Sequence, residues 1–352
     1  MRSSLPLRSH KYLVSSVPKA PVVVEPLITS PAKNSIVDLS SLVWDALDLN
    51  AYYKFLSFEE PLAAQLNKAD SHFQLQKTKH EWTHALYSEI PDVKVRRMEM
   101  ERRRKLDLIE PYKWNEYHQN HQLSRTSFGV EPLILKPLPE VLFVGHTNAG
   151  KSSLMNNIFA SKQLAKQPSS DTDLAFESRK AGYTECLVCF NVNQKLRLVD
   201  SPGYGIRSVD NQGTLVMDYI KQRLQLKKTY IIVDGCFGFR EGDELIMNYL
   251  QDNKYPFEIV FTKLDEVVKK RFPRNIVKKS TLVDEATASQ LAAEGNSLVV
   301  EHFLEIMGNA NLVDFPMLSG IHFNNSRCNN ILKRRSGYRE FRASIMKMCG
   351  LL

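Results

Sequence analysis

Apolar positions along this chain follow two different periods. Over Asp38–Leu47 they fall at 39, 42, 43, 46 and 47, the stripe of a helix with one buried face. The same texture predicts further helical stretches near 59–89 and 94–109. From Pro139 onward the pattern changes to short apolar runs separated by helical stretches. Val141–Val144, Glu185–Asn191, Lys195–Val199, Thr229–Val233 and Phe257–Phe261 read as strands, with a helix around 241–252. Alternating strand and helix predicts an α/β domain. Prolines at 132, 137 and 139, after a turn-rich break at Ser124–Gly129, separate it from the helical region before it. Prolines at 18, 21, 26 and 31 mark an extended linker further upstream.

The 352 residues thus divide into a leader and linker (1–35), a mainly helical extension (36–130) and an α/β domain (131–352). Residues 1–24 carry Arg2, Arg8, Lys11 and Lys19 with several serines and no acid, the composition of a mitochondrial presequence. A disordered basic tail is the alternative. Net charge is +8, and residues 1–33 hold five Lys/Arg and one Glu, so the remainder would carry about half of that. No apolar run is long enough for a membrane span. Five cysteines suggest no disulfide framework and point to a reducing compartment.

Four short motifs punctuate the α/β region. Gly145-His146-Thr147-Asn148-Ala149-Gly150-Lys151-Ser152-Ser153 follows a strand and opens a helix, the context a phosphate-binding loop requires. There, backbone N–H groups and the helix N-terminus would surround phosphates, Lys151 would reach the β/γ-phosphates, and Ser152 would bind Mg²⁺. Asp200-Ser201-Pro202-Gly203 ends a strand, placing Asp200 for the Mg²⁺ shell and the Gly203 N–H for the γ-phosphate. Thr184, in Gly182-Tyr183-Thr184 on a polar stretch before a strand, is the candidate γ-phosphate sensor acting through Mg²⁺. Thr262-Lys263-Leu264-Asp265 follows another strand. The Asp265 carboxylate can accept from guanine N1–H and its 2-amino group together, whereas adenine offers an acceptor at N1. Ser319 and Gly320 are assigned to guanine O6. Four motifs in this order specify a GTP-binding domain.

Other patterns point elsewhere. His80-Glu81-Trp82-Thr83-His84 matches H-E-x-x-H, which on a helix sets two zinc ligands beside a general base. No third ligand follows, and a surface helix with Trp82 and Leu86 facing neighbours is the preferred reading. Cys186 and Cys189 fall on a strand, which favours buried small side chains over redox or zinc chemistry. Lys94–Lys105 has seven basic residues and two acids; a solvated face with i,i+4 pairs is preferred to an RNA-facing helix. Lys269-Lys270-Arg271 with Arg274 and Lys278-Lys279, and Lys333-Arg334-Arg335 with Arg339 and Arg342, are candidates for rRNA phosphates, with a solvated helix surface as the equal alternative.

The phosphate loop with its Pro139-Glu140-Val141 lead-in resembles the EngB (YihA/YsxC) group of GTPases. Asp200-Ser201-Pro202-Gly203-Tyr204-Gly205, Thr262-Lys263-Leu264-Asp265 and Gly337-Tyr338-Arg339-Glu340-Phe341-Arg342 strengthen that resemblance. With the leader, the chain resembles a fungal mitochondrial member. The resemblance implies a Ras-like P-loop domain, a mostly parallel six-stranded sheet with helices on both faces, acting as a monomer in the mitochondrial matrix. It implies GTP/GDP and Mg²⁺ as ligands and a role in assembling the large mitochondrial ribosomal subunit, with rRNA as a partner. A non-catalytic GTP/GDP-binding scaffold in a mitochondrial expression complex is the alternative. His146-Thr147 replaces the Arg-Ser usual in bacterial members, and the 36–128 extension has no counterpart there. No catalytic residue is assigned: Tyr204 stands where Ras-like enzymes orient water with a glutamine, so slow hydrolysis assisted by a partner or K⁺ is expected. Asn148 is the candidate K⁺ ligand.

Overall fold

The computed structural model describes residues 35–53, 61–73, 78–113, 115, 116, 118, 120, 126–159, 186–204, 210–278 and 280–352. The extension contributes β1 (Ile36–Asp38), α1 (Ala46–Tyr52), α2 (Ala63–His72), β2 (Thr78–His84) and α3 (Pro91–Asp107). Then come β3 (Glu140–Val144), α4 (Lys151–Phe159), β4 (Leu187–Val192), β5 (Leu196–Asp200), α5 (Asp210–Gln222), β6 (Leu226–Asp234) and α6 (Glu241–Asp252). The remainder is β7 (Phe257–Thr262), α7 (Leu264–Arg271), α8 (Arg274–Lys278), β8 (Leu282–Asp284), α9 (Glu285–Asn309), β9 (Leu318–Phe323) and α10 (Tyr338–Met348).

Among the described residues, seven strands form one sheet in the order β2-β4-β5-β3-β6-β7-β9. The five strands from β5 to β9 run parallel, while β2 and β4 are antiparallel to their neighbours. Side chains alternate between two cores, as the pleat demands. Leu142, Val144, Ile231 and Phe261 face α5, α6 and α9. Val141, Phe143, Tyr230 and Val260 face α4 and α10. Burial on both faces explains why these strands read as continuous apolar runs.

The expected six-stranded sheet gains its seventh strand from the extension. His80-Glu81-Trp82-Thr83-His84 is not helical; it lies in β2, paired antiparallel with β4 from Thr78↔Val192 to His84↔Leu187. A bulge between His80 and Trp82 interrupts the alternation that would have announced a strand. Trp82 is buried as expected, but Leu86 is 61% exposed. Elsewhere the extension packs closely on the α/β region. β1 pairs with β8, Ala69 and Phe73 of α2 join the core under α10, and Tyr53 stacks on Phe323.

Beneath the parallel strands lies a buried ionic cluster that spans both regions. Arg197 on β5 donates to Glu81 of β2 and, at 3.4 Å, to Glu140 of β3. Arg223 donates twice to Glu140, at 2.6 and 2.7 Å, and twice to Asp92 of α3, at 2.7 and 2.8 Å. Tyr219 donates to Glu140 as well. Glu140 is 0% exposed, and two guanidinium groups and a phenol surround its carboxyl, as the burial of such a group requires.

Candidate nucleotide-binding site

The carboxyl ends of β3, β5, β6 and β7 lie side by side, and the loops leaving them form the site, the usual place for ligands on an open α/β sheet. Gly145 leaves β3 so close to β6 that a Cβ would sit 2.4 Å from the Ile232 carbonyl oxygen. Asn148 and Gly150 take left-handed conformations, with φ of 64° and 98°, which turn the loop into the start of α4. The loop is braced from β7: the Thr262 hydroxyl donates to the Ala149 carbonyl. Thr262, expected among the guanine contacts, is therefore placed against the phosphate loop.

Lys151 is buried at the head of α4, with its ammonium donating to the carbonyls of Gly145 (2.9 Å) and His146 (3.3 Å). Burial lowers its pKa, and Asp200 opposes that shift. Ser152 donates to Asp200 Oδ2 at 3.0 Å, so the two residues expected to share Mg²⁺ are in contact. Asp200 Oδ1 is buried with no hydrogen-bond partner among the described residues. Burial pushes this carboxyl up to about 6, against the pull of Lys151. A partly buried serine hydroxyl, a carboxylate with one oxygen unpartnered and a neighbouring ammonium fit a hard divalent cation bound to phosphate. Ser153 is half-buried in the first turn of α4. Thr184, with Gly182 and Tyr183, lies outside the described residues.

Gly203 approaches the phosphate loop closely: a Cβ there would meet Thr147 Cα at 2.7 Å. The next residue is latched. The Thr147 N–H donates to the Tyr204 carbonyl at 2.9 Å, and the Tyr204 hydroxyl donates to buried Asp243 at 2.5 Å. Burial and the Asp243 charge push the Tyr204 phenol well above its ordinary range. Gly242 makes room for the ring, which would lie 2.6 Å from a Cβ. Arg240, stacked on Phe237, reaches His146 Nδ1 at 2.7 Å. These α6 residues border a cavity of about 470 Å³ with Asn148, Asp234 and Lys263. Nothing in the linear sequence marks Arg240 or Asp243, which lie far from any motif.

On the guanine side, Lys263 is left-handed (φ 56°) and its ammonium donates to Asp234 at 2.6 Å. Asp265 is buried in the first turn of α7, and burial pushes its carboxyl up to about 6. Ser319 and Gly320 do not join it. They begin β9, where Leu318 pairs with Phe257, at the opposite end of the sheet from the loops. Ser319 there accepts from Lys228 and donates to the Phe257 carbonyl, and Gly320 packs on Glu258. The loop that follows β9 occupies the expected place instead. Arg327 lies near enough to lower the Asp265 pKa, and Asn329 donates to the Asp265 carbonyl at 3.0 Å.

The zinc reading fails on geometry. Glu81 is engaged by Arg197, His80 contacts Thr83, and among the described residues no three His, Cys, Asp or Glu side chains could hold a metal together. Cys189 is buried on β4 and Cys186 half-buried before it, both as free thiols.

A family model described as 50S ribosome-binding GTPase matches residues 140–263. Probable GTP-binding protein EngB of Rickettsia rickettsii is 38% identical over 135 residues, 37% of this chain and 59% of that protein. The α/β region is similar to the EngB-type GTPases. MIOREX complex component 8 of Saccharomyces cerevisiae is 28% identical over 306 residues, 87% of this chain and 80% of that one. A match of that length cannot fit within 131–352, so the similarity to the yeast protein reaches into the extension. Among solved structures, Era in complex with MgGDPNP and nucleotides 1506–1542 of 16S ribosomal RNA is 21% identical. That likeness covers 60% of this chain and 56% of Era, with a TM-score of 0.38.

Proposed function

We propose that this protein is a GTP-dependent switch in mitochondrial gene expression, acting in the assembly of the large mitochondrial ribosomal subunit. The observation that carries the reading is the grouping of Lys151, the Ser152–Asp200 pair and Asp265 on loops at one end of the sheet. The mitochondrial location, in the matrix, rests on the acid-free, Arg- and Ser-containing leader and on the similarity to the yeast MIOREX component. The ribosomal role rests on the EngB family and the description of the matching model.

In this reading the backbone of Asn148, Ala149, Gly150, Ser152 and Ser153 cradles the phosphates, and Lys151 turns from the loop carbonyls toward them. Ser152, Asp200 and Thr184 hold Mg²⁺, which when bound offsets phosphate charge. Asp265 selects guanine, with Lys263 and the loop after β9 closing on the base. Asn148 is the residue to which a K⁺ dependence is assigned. The chain supplies no glutamine after Gly203, and Tyr204 is engaged by Asp243, so intrinsic hydrolysis is slow and a partner completes it. The same feature favours, as second reading, a GTP/GDP-binding scaffold without turnover.

Sedimentation of mitochondrial extract in GTPγS and in GDP tests the proposal. Co-migration with the large ribosomal subunit only in GTPγS is the expected result; absence from ribosomal fractions in both states refutes it. Turnover of the purified protein, measured with ribosomal particles and lost on Lys151→Ala, separates the switch from the scaffold.

A further inference from the structure

The structure reverses the sequence-based ranking of the basic stretches. Those assigned to rRNA are largely engaged by neighbouring side chains, although Lys269, Lys270, Lys333 and Arg334 remain exposed. Lys333 pairs with Asp38; Arg339 and Arg342 both pair with Asp70 of α2, and Arg335 is buried. Lys269 pairs with Glu266, Lys270 lies over Phe237, and Arg271 contacts His302. Two of these acids, Asp38 and Asp70, belong to the extension, which therefore engages Lys333, Arg339 and Arg342 of the α/β region.

α3 presents the opposite arrangement. Its inner side is fixed: Ile90 precedes it in the core, Asp92 is held by Arg223, and Arg102 and Leu106 are buried. The outer side carries Arg96, Arg97, Met100, Arg103 and Arg104, a single face by helical spacing, with Lys105 beside it. Acids only partly offset these charges. Arg97 pairs with Glu89 at 3.3 Å and Arg103 with Glu99 at 3.0 Å, while both arginines stay exposed. Arg96 is 3.9 Å from an Asp92 already bonded twice to Arg223, and Arg104 and Lys105 have no acidic partner among the described residues. Beyond the helix, Leu108 is 84% and Tyr112 79% exposed, with the Lys113 ammonium 5.3 Å from the Tyr112 ring.

We propose that the outer face of α3 and the turn carrying Tyr112 form an RNA-binding surface, the arginines on backbone phosphates and Tyr112 against an unpaired base. Guanidinium forks match phosphate oxygens, and Arg96 to Arg104 span about 12 Å along the axis, enough for consecutive phosphates. An exposed phenol next to that row supplies the stacking platform through which proteins hold single-stranded RNA. The surface lies outside residues 140–263, so RNA is held by the extension and GTP by the core. The two are joined through Asp92–Arg223 and through β2, which pairs with the strand that follows Thr184. The inference deepens the proposed function and rests on a partner that contains RNA, not on hydrolysis.

The test uses the full-length protein with GDP and with GTPγS. Fluorescence anisotropy follows a 20-nucleotide unstructured RNA and an RNA hairpin of equal length between 50 and 200 mM salt. R103E/R104E should weaken both by at least tenfold and reduce the log–log salt slope by about 1.4. Tyr112→Ala should weaken the unstructured RNA more than the hairpin. The control K195E/K254E, on exposed lysines elsewhere, should have little effect; equal losses in the two charge variants would reduce the effect to overall charge and overturn the site. Unchanged GDP affinity and urea midpoint establish that R103E/R104E is folded; if it is not, R103Q/R104Q replaces it. RNA affinity unaltered by these substitutions overturns the proposal. So does binding to cardiolipin vesicles that the same variants abolish while RNA binding persists. Wild-type sedimentation with ribosomes in GTPγS, retained while this site fails, would leave the proposed function standing without it.

Discussion

For the guanine contact proposed above, Asp265 must be an anion, in a place that disfavours one. Its folded-state pKa of about 6 lies above the ordinary value of 3.8, with burial as the largest cause. Ionisation therefore costs stability at neutral pH, and that stability returns as pH falls through 6 toward 3.8. Guanine recognition has the opposite dependence, because only the carboxylate accepts both guanine donors. GDP affinity should drop about tenfold between pH 7 and pH 5, measured with a fluorescent GDP analogue. Asp265→Asn should lose GDP and gain xanthosine diphosphate, whose 2-oxo group accepts from the new amide, and the Asp265 share of the pH dependence should vanish. The placement of Lys151, Asp200 and Asp265 at one end of the sheet was legible in the sequence because each sits at a fixed offset from a strand end. Ser319 and Gly320 lie apart from Asp265 because they begin β9, a strand the sequence reading did not identify. A six-residue strand is about 20 Å long, so missing it moves a residue across the sheet.

At the scale of the element, β2 is where sequence reasoning failed, and the cause is local. Thr78, Trp82 and Thr83 suit a strand, but the bulge after His80 breaks the period-2 signal and leaves an accidental H-E-x-x-H. What selects the strand is long-range: Glu81 meets Arg197, a residue of β5 that no local pattern connects to it. Glu81→Gln should lower the urea midpoint, since it leaves a guanidinium that is 2% exposed with Glu140, at 3.4 Å, as its one remaining carboxylate. The paired change E81L/R197M should recover part of that loss, because it removes both charges together. α3 and α6 were legible, the first from its charge pairs and the second from its apolar stripe.

Across the whole molecule, extension and GTPase region share strands, cores and buried charges. Sequence alone suggested an appendage, because proline-rich boundaries mark where chain segments change texture and say nothing of how they pack. A chain truncated before residue 131 should expose the β4 edge and leave Arg223 and Arg197 without Asp92 and Glu81. It should aggregate or show a lowered unfolding midpoint, whereas a chain truncated before residue 35 should match the full length in light scattering and thermal denaturation.

The pairing of β2 with β4 also orders events in time. Thr78 joins Val192, and Ile36 joins Asp284, so the segments that leave the ribosome first are among the last to find their partners. Contacts between such distant parts of a chain make folding slow. Until β4 and β8 have been made, β1, β2 and their acids wait unpaired, and a nascent chain is most exposed to misassembly in that interval.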